Sequence, residues 1–316
     1  MKRYITIDGG TTNTRVNLVE DEQIIATKKI NRGAKAGIDD RDGLKSELKT
    51  VIASILSEND LTEQDITKIL ASGMITSEFG LYELPHLIAP VGIKELHDGM
   101  AEVAFPEISA IPFVFIRGVK MNSNELDKID MMRGEETELV GLMALQGGLS
   151  EVEQVYILPG SHSKIISVDK SGRISDFVTM LTGEMIAALS QNTILKDAVD
   201  LSCAEYDEKY LTEGYRYAKS VGLNKALFKV RSLKNIFKRS AAQVYSFFIG
   251  AVLSDEIDYI SALSAKNIVI GGRQQIKLAM EALLKATTDK NITVISEKDV
   301  NLATALGVIR IFEYKF

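Results

Sequence analysis

Hydrophobic and polar positions alternate at the start of the chain. Residues 4–7 form a β-prone run, residues 8–13 a turn rich in Gly, Thr and Asn, and Val16 and Leu18 alternate into a second strand, which together predict a hairpin. A third strand is expected at 24–27, after an acidic turn at 20–22. The period then changes: Leu44, Leu48, Val51, Ile52 and Ile55 carry helical spacing across 44–56. Farther on, residues 131–138 open a predicted helix whose apolar side is Leu139, Val140, Leu142 and Met143. A long helix is expected over 239–257, with Gly250 as a close-packing position. The run Asn267, Ile268, Val269, Ile270 reads as a strand that ends at Gly271 and Gly272 and leads into a helix carrying Ile276, Met280, Leu283 and Leu284 on one face.

The opening hairpin has a second copy. Residues 155–168 can be laid on 5–18 without a gap, at an offset of 150 residues. Ile5 meets Val155, Ile7 meets Ile157, Gly10 meets Gly160, Thr11 meets Ser161, Val16 meets Ile166 and Leu18 meets Val168. With 316 residues in the chain, that offset is close to half its length and predicts two similar β-rich lobes with equivalent turns.

Composition narrows the chemistry. Hydrophobic residues are 46% and charged residues 25%, ordinary for a globular chain. A net charge of −6 leaves no overall basic field for nucleic acid or an anionic membrane, so any phosphate must be held by local turns and single cations. Cys203 is the one cysteine, which excludes an internal disulfide or a cysteine-rich zinc cluster and fits a reducing compartment. No apolar run reaches the length of a signal peptide or a membrane span, and a cytoplasmic location is expected.

Candidate chemistry sits in the turns. In the first, Gly10, Thr11, Thr12 and Asn13 offer consecutive N–H groups and hydroxyls to phosphate oxygens; Asp8 could hold Mg²⁺ directly or through water, and Arg15 follows as a cation. The competing reading is a polar hairpin turn. Its partner contains Gly160, Ser161, His162 and Lys164, with Lys164 as a cation for phosphate or carboxylate, while a structural His162 is the commoner reading. His86 and His97 lack metal-ligand spacing and are assigned no role. At 100° per residue Glu136 falls on the apolar face with Val140 and Met143, a candidate general base. Glu135 and Glu136 could equally complement the helix dipole. Arg133 could clamp a carboxylate bidentately, and Asp176 and Glu184 are further carboxylates for base or metal duty.

These residues resemble known motifs. Asp8-x-Gly10-Thr11-Thr12-x-x-Arg15 is similar to the first phosphate motif of the actin-like ATPase superfamily. The Gly160 turn stands at its second phosphate motif, and the run ending at Gly271 and Gly272 resembles its adenosine motif. The resemblance implies an α/β fold of two similar ribonuclease-H-like lobes around a central nucleotide cleft, here residues 1–148 and 149–316. Within the superfamily the chain resembles the 2-keto-3-deoxy-galactonokinase family. The matches are Met132-Arg133-Gly134-Glu135-Glu136-Thr137, Pro159-Gly160-Ser161-His162-Ser163-Lys164, Asp176-Phe177, Thr182-Gly183-Glu184 and the turn Ala71-Ser72-Gly73-Met74. One departure is Gly9, where that family has a bulky aromatic residue; this chain has no tryptophan.

The family resemblance implies ATP and Mg²⁺ as cofactors and a 2-keto-3-deoxy sugar acid as the small-molecule partner, phosphorylated on its terminal hydroxyl. A homodimer is one assembly it allows. By the same resemblance Glu136 is the expected base with Glu135 in reserve, Asp8 organises Mg²⁺ with Asp176 in reserve, and Gly73 and Met74 line the acceptor. Arg133, Arg117, Arg15 and Lys164 are the shortlist for the acceptor's carboxylate. Lobe closure is expected to exclude water from the phosphoryl group. Two other readings share the phosphate turns: a pantothenate or amino-sugar kinase, and a nucleotide-switched binding module.

Overall fold

The opening hairpin extends in both directions beyond its most β-prone residues. Arg3–Gly9 (β1) pairs antiparallel with Thr14–Glu20 (β2), with Asp8 opposite Arg15, and β2 pairs with Gln23–Ile30 (β3). Helix α1 covers Arg41–Glu58 and buries Leu44, Leu48, Ile52 and Ile55, and Lys68–Gly73 (β4) then returns parallel to β1. Leu87–Ile88 (β5), Ile93–Asp98 (α2), Ala101–Val103 (β6), Phe113–Phe115 (β7), Val119–Lys120 (β8), Met131–Met132 (β9) and Glu135–Leu145 (α3) follow. The main sheet has the order β3-β2-β1-β4-β7-β6, and a small one the order β5-β8-β9. Ile5, Ile7, Val16, Leu18, Ile69, Ala71, Phe113 and Phe115 project from one face of the main sheet into a core shared with α1.

The second half repeats this plan. Gln154–Leu158 (β10), Ser163–Val168 (β11) and Ile174–Met180 (β12) precede five helices: Thr182–Asn192 (α4), Glu208–Val221 (α5), Leu223–Asn235 (α6), Ala241–Val252 (α7) and Ser254–Ala262 (α8). Asn267–Ile270 (β13), Ile276–Thr287 (α9), Asn291–Val294 (β14) and Glu297–Phe312 (α10) complete the chain. The sheet order is β12-β11-β10-β13-β14, with β13 parallel to β10. An offset of 150 residues lays β1, β2 and β3 on β10, β11 and β12 to within two residues at each end. The repeat therefore includes the third strand, and it continues into the crossover strand, since β4 and β13 each lie parallel to the first strand of their sheet. Each is followed or ended by glycine at positive φ, Gly73 at 81° and Gly272 at 75°, a conformation that costs an L-residue its Cβ clearance.

The computed structural model describes residues 2–33, 41–148, 151–203, 205–272 and 276–315. The chain divides into two compact units, Met1–Val152 with Val168–Asp176 and Lys298–Phe316, and Glu153–Ser167 with Phe177–Glu297. The first unit thus includes, besides residues 1–152, the β11–β12 hairpin tip and the C-terminal helix. Two glycines let that helix pack there. A Cβ on Gly141 of α3 would overlap Ala303 O, and one on Gly307 would overlap Thr137 O, so α3 and α10 cross at backbone contact.

Two expected helices differ from prediction. The 239–257 helix is broken into α7 and α8, with Ser254 Oγ donating to Ala251 O at 2.8 Å, a local bond that competes with helix continuation. Met131 and Met132 are strand rather than helix, because Gly134 at φ 115° cannot continue a helix and α3 starts only at Glu135. No helix among the described residues is long and apolar enough to cross a membrane.

Candidate active site

The first phosphate-motif turn closes through Gly10 N–H donating to Asn13 O at 2.8 Å, which leaves Thr11 half-buried and Thr12 exposed at its tip. Thr14 Oγ1 donates to Arg32 O at 2.8 Å and ties the turn to the end of β3. Asp8, at the end of β1, stands between Arg15 on β2 and Ser72 on β4. The Ser72 hydroxyl is fully buried and has no hydrogen-bond partner among the described residues. Gly9 has a steric reason: a Cβ there would lie 2.6 Å from Ile75 N, so the turn Met74–Thr76 leaves no room for a side chain.

The second turn, at 159–162, is braced from two sides. Gly183, in the first turn of α4, lies so close that a Cβ would overlap Gly160 O, and Glu184 N–H donates to Ser161 O at 3.1 Å. His162 Nε2 is 3.4 Å from Glu184 Oε1. Gly271 N–H donates to Ile157 O at 2.8 Å, and Gly272 packs on Pro159. The Gly-Gly pair and the second turn are thus neighbours, although Gly271 stands 111 residues after Gly160 in sequence. Lys164 differs from expectation. Only 4% exposed, its ammonium donates to Thr179 Oγ1, so it braces β11 against β12 rather than standing free at the turn.

Beneath this turn lies Glu256, which sequence reasoning missed. It is 1% exposed and accepts from Ser163 Oγ and Thr182 Oγ1, both at 2.5 Å. Burial raises its carboxyl pKa while the two hydroxyls oppose the shift. One carboxylate thereby links the second turn to the N-terminus of α4. A signal existed: Glu256 shares the buried face of α8 with Ile257 and Ile260, the same pattern that singles out Glu136.

At the start of α3, Gly134 packs on Gly73, where a Cβ would stand 3.1 Å from the Gly73 Cα. Arg133 N–H donates to Glu135 Oε2 at 3.0 Å, and Gly134 N–H donates to both Glu136 oxygens at 2.9 and 2.8 Å. Both side chains therefore accept from backbone N–H groups at the helix start. Their environments differ. Glu135 is half-buried, whereas Glu136 is 0% exposed, and burial together with the charge of Glu135 pushes its carboxyl up to about 8.

That shift has a pH consequence. Stability from neutral Glu136 is fully present below the ordinary carboxyl value of 4.5 and is lost as pH rises toward about 8. Glu136→Gln removes this loss, so its melting temperature relative to the parent rises between pH 5 and pH 9. Parallel melting-temperature profiles of the two proteins would refute a neutral, buried Glu136.

The cations are placed unevenly. Arg133 Nη1 donates to Thr76 O at 2.7 Å and Thr76 Oγ1 at 2.6 Å; Nη2 donates to Leu84 O at 3.0 Å and His86 Nδ1 at 3.2 Å. Four of its five donors hold the 76–86 segment, which leaves only Nε for an acceptor. Arg117 Nε donates to Gly99 O at 2.6 Å. Asp176 is exposed on β12, and no group of three His, Cys, Asp or Glu side chains among the described residues gathers around a metal position.

Two α/β units built on the same three-strand-and-crossover plan, each with a glycine-hydroxyl turn after its first strand, define the actin-like ATPase fold. The chain aligns over 98% of its length with 97% of a crystal structure of a candidate 2-dehydro-3-deoxygalactonokinase from Sinorhizobium meliloti, at TM-score 0.77 and 20% identity. It also aligns with the ADPNP-bound activator of 2-hydroxyisocaproyl-CoA dehydratase from Clostridium difficile, at TM-score 0.50 and 14% identity, covering 99% of this chain and 96% of that one. At these identities the likeness concerns the fold. The chain belongs to the 2-keto-3-deoxy-galactonokinase family, whose pattern matches residues 8–310. It is 27% identical over 274 residues to the 2-dehydro-3-deoxygalactonokinase of Escherichia coli (strain K12), which covers 85% of each chain.

Proposed function

We propose that this kinase transfers the terminal phosphoryl group of ATP to the 6-hydroxyl of 2-keto-3-deoxy-galactonate or a close 2-keto-3-deoxy sugar acid. The observation that carries this reading is the meeting of three family motifs from distant parts of the sequence. Gly73, next to Met74, touches Gly9 beside the first phosphate turn, and Gly134, at the carboxylate-bearing helix, touches Gly73. A phosphate cradle, an acceptor turn and a candidate base thus share one backbone junction.

In this reading Gly10, Thr11, Thr12 and Asn13 donate to phosphate oxygens of the nucleotide, as do Gly160, Ser161 and His162, while Gly271 and Gly272 approach the adenosine. The donor set at Asp8 fits Mg²⁺ that arrives with ATP, since that ion keeps several waters and uses one or two carboxylates plus substrate phosphates. Bound there, Mg²⁺ would neutralise charge on the phosphoryl group during transfer. The base is the carboxylate that can touch the acceptor. Glu136 is sealed inside α3's packing, so Glu135 takes the hydroxyl proton, and neutral Glu136 fixes Gly134 and with it the start of the helix.

A coupled ATP-consumption assay across 2-keto-3-deoxy acids, pantothenate and amino sugars tests the reading. ATP turnover stimulated by a sugar acid supports it. Stimulation by pantothenate or an amino sugar alone, or by no member of the panel, overturns it.

A further inference from the structure

The small sheet β5-β8-β9 carries chemistry that no motif accounts for. Leu87 pairs with Val119, and Val119 with Met132, so these three share one face. Ile88, Lys120 and Met131 pair in the same way and share the other. Alternation along the strands places His86, Gly118 and Arg133 as a second row on the Ile88 face. That face is the open one. Val119 and Met132 are buried, while Ile88 is 54% and Met131 65% exposed.

Gly118 leaves the middle of the second row vacant. A Cβ there would stand 2.8 Å from His86 Cδ2, and in its absence Arg133 Nη2 reaches His86 Nδ1 at 3.2 Å. A guanidinium can only donate, so Nδ1 accepts and the ring proton lies on Nε2. Burial, then the charges of Arg133 and Lys120, hold the imidazole at about 4, which keeps it neutral at physiological pH. Lys120 is half-buried on the same face and has no ion-pair partner among the described residues. The face therefore combines one ammonium, one imidazole N–H and two apolar side chains. Its third strand leads through Arg133 and Gly134 directly into Glu135.

We propose that this face is the subsite for the carboxylate end of the acceptor, with Lys120 as counter-ion, His86 Nε2–H as hydrogen-bond donor, and Ile88 and Met131 against the C3 methylene that follows the keto carbon. The assignment rests on the sugar-acid reading above. Arg133 is then a positioning residue that fixes the His86 tautomer, and Lys120, rather than Arg133, Arg117, Arg15 or Lys164, supplies the charge that recognises the acid.

The test compares wild type, Lys120→Met and Lys120→Arg with 2-keto-3-deoxy-galactonate and its uncharged methyl ester. Lys120→Met raises KM for the acid about 10- to 100-fold, the range a hydrogen bond to a charged group supplies, while KM for ATP stays within about twofold. Discrimination between acid and ester collapses in Lys120→Met and returns in Lys120→Arg. Unchanged KM and unchanged discrimination in Lys120→Met overturn the subsite and leave the kinase reading standing. A wild-type enzyme that phosphorylates no 2-keto-3-deoxy acid of the panel removes the sugar-acid reading itself, and the subsite with it.

Discussion

Glu135→Gln lowers kcat about 10²- to 10⁴-fold, the usual contribution of a positioned general base, while Glu136→Gln lowers it less than about tenfold. The two residues are adjacent and chemically identical, so the difference comes from their surroundings. Glu135 is half-buried at the surface of the helix start, and its Oε2 accepts from Arg133 N–H at 3.0 Å, which orients the carboxylate without closing it off. Glu136 has no exposed surface, and both of its oxygens face Gly134 N–H. Two neighbouring carboxylates repel when both are ionised, and burial decides which one stays neutral. Glutamine mimics neutral Glu136 in size and charge but cannot replace an anionic proton acceptor at position 135. Steady-state kinetics of both variants check this, with KM for ATP as the control. A larger loss from Glu136→Gln than from Glu135→Gln would return the base to Glu136.

Asp8→Asn lowers turnover about 10²-fold or more and raises the Mg²⁺ concentration needed for half-maximal rate. Asparagine keeps the shape of the side chain at the end of β1 and removes its charge. Phosphoryl transfer depends chiefly on positioning and charge neutralisation, so the loss falls on the reaction rather than on folding. Among the described residues no group of three His, Cys, Asp or Glu side chains gathers as a ready-made metal site, so in this reading the metal depends on Asp8 and the phosphates. Titration of activity with Mg²⁺ at saturating ATP, alongside a melting curve, measures both parts. An unchanged metal requirement removes Asp8 from the nucleotide site.

Much of the local plan was legible along the chain. The period-2 runs at 5–18 and 155–168 predict two hairpins, and their alignment at one offset predicts two like sheets, because strand periodicity and turn chemistry are properties of neighbouring residues. Glu136 was legible as a buried carboxylate, since a helix of known period fixes which face it shares with Val140 and Met143. What buried carboxylates do was not legible. Proton affinity depends on desolvation and on charges brought close by folding, which separate Glu136 from Glu135, and folding alone sets Glu256 against Ser163, 93 residues away.

Arg133 and His86 show the same boundary. The sequence offers Arg133 as one of four candidate carboxylate clamps and gives His86 no role, because neither residue type discloses its partners. The small sheet brings the two onto one face and directs the guanidinium to Thr76, Leu84 and His86. The repeat, the glycine-hydroxyl turns and the motifs of the family are carried by residues adjacent in the chain and can be read there. Which charges remain available for a substrate depends on the folded chain, because a side chain's donors are allotted by distant backbone carbonyls and rings that approach it after folding.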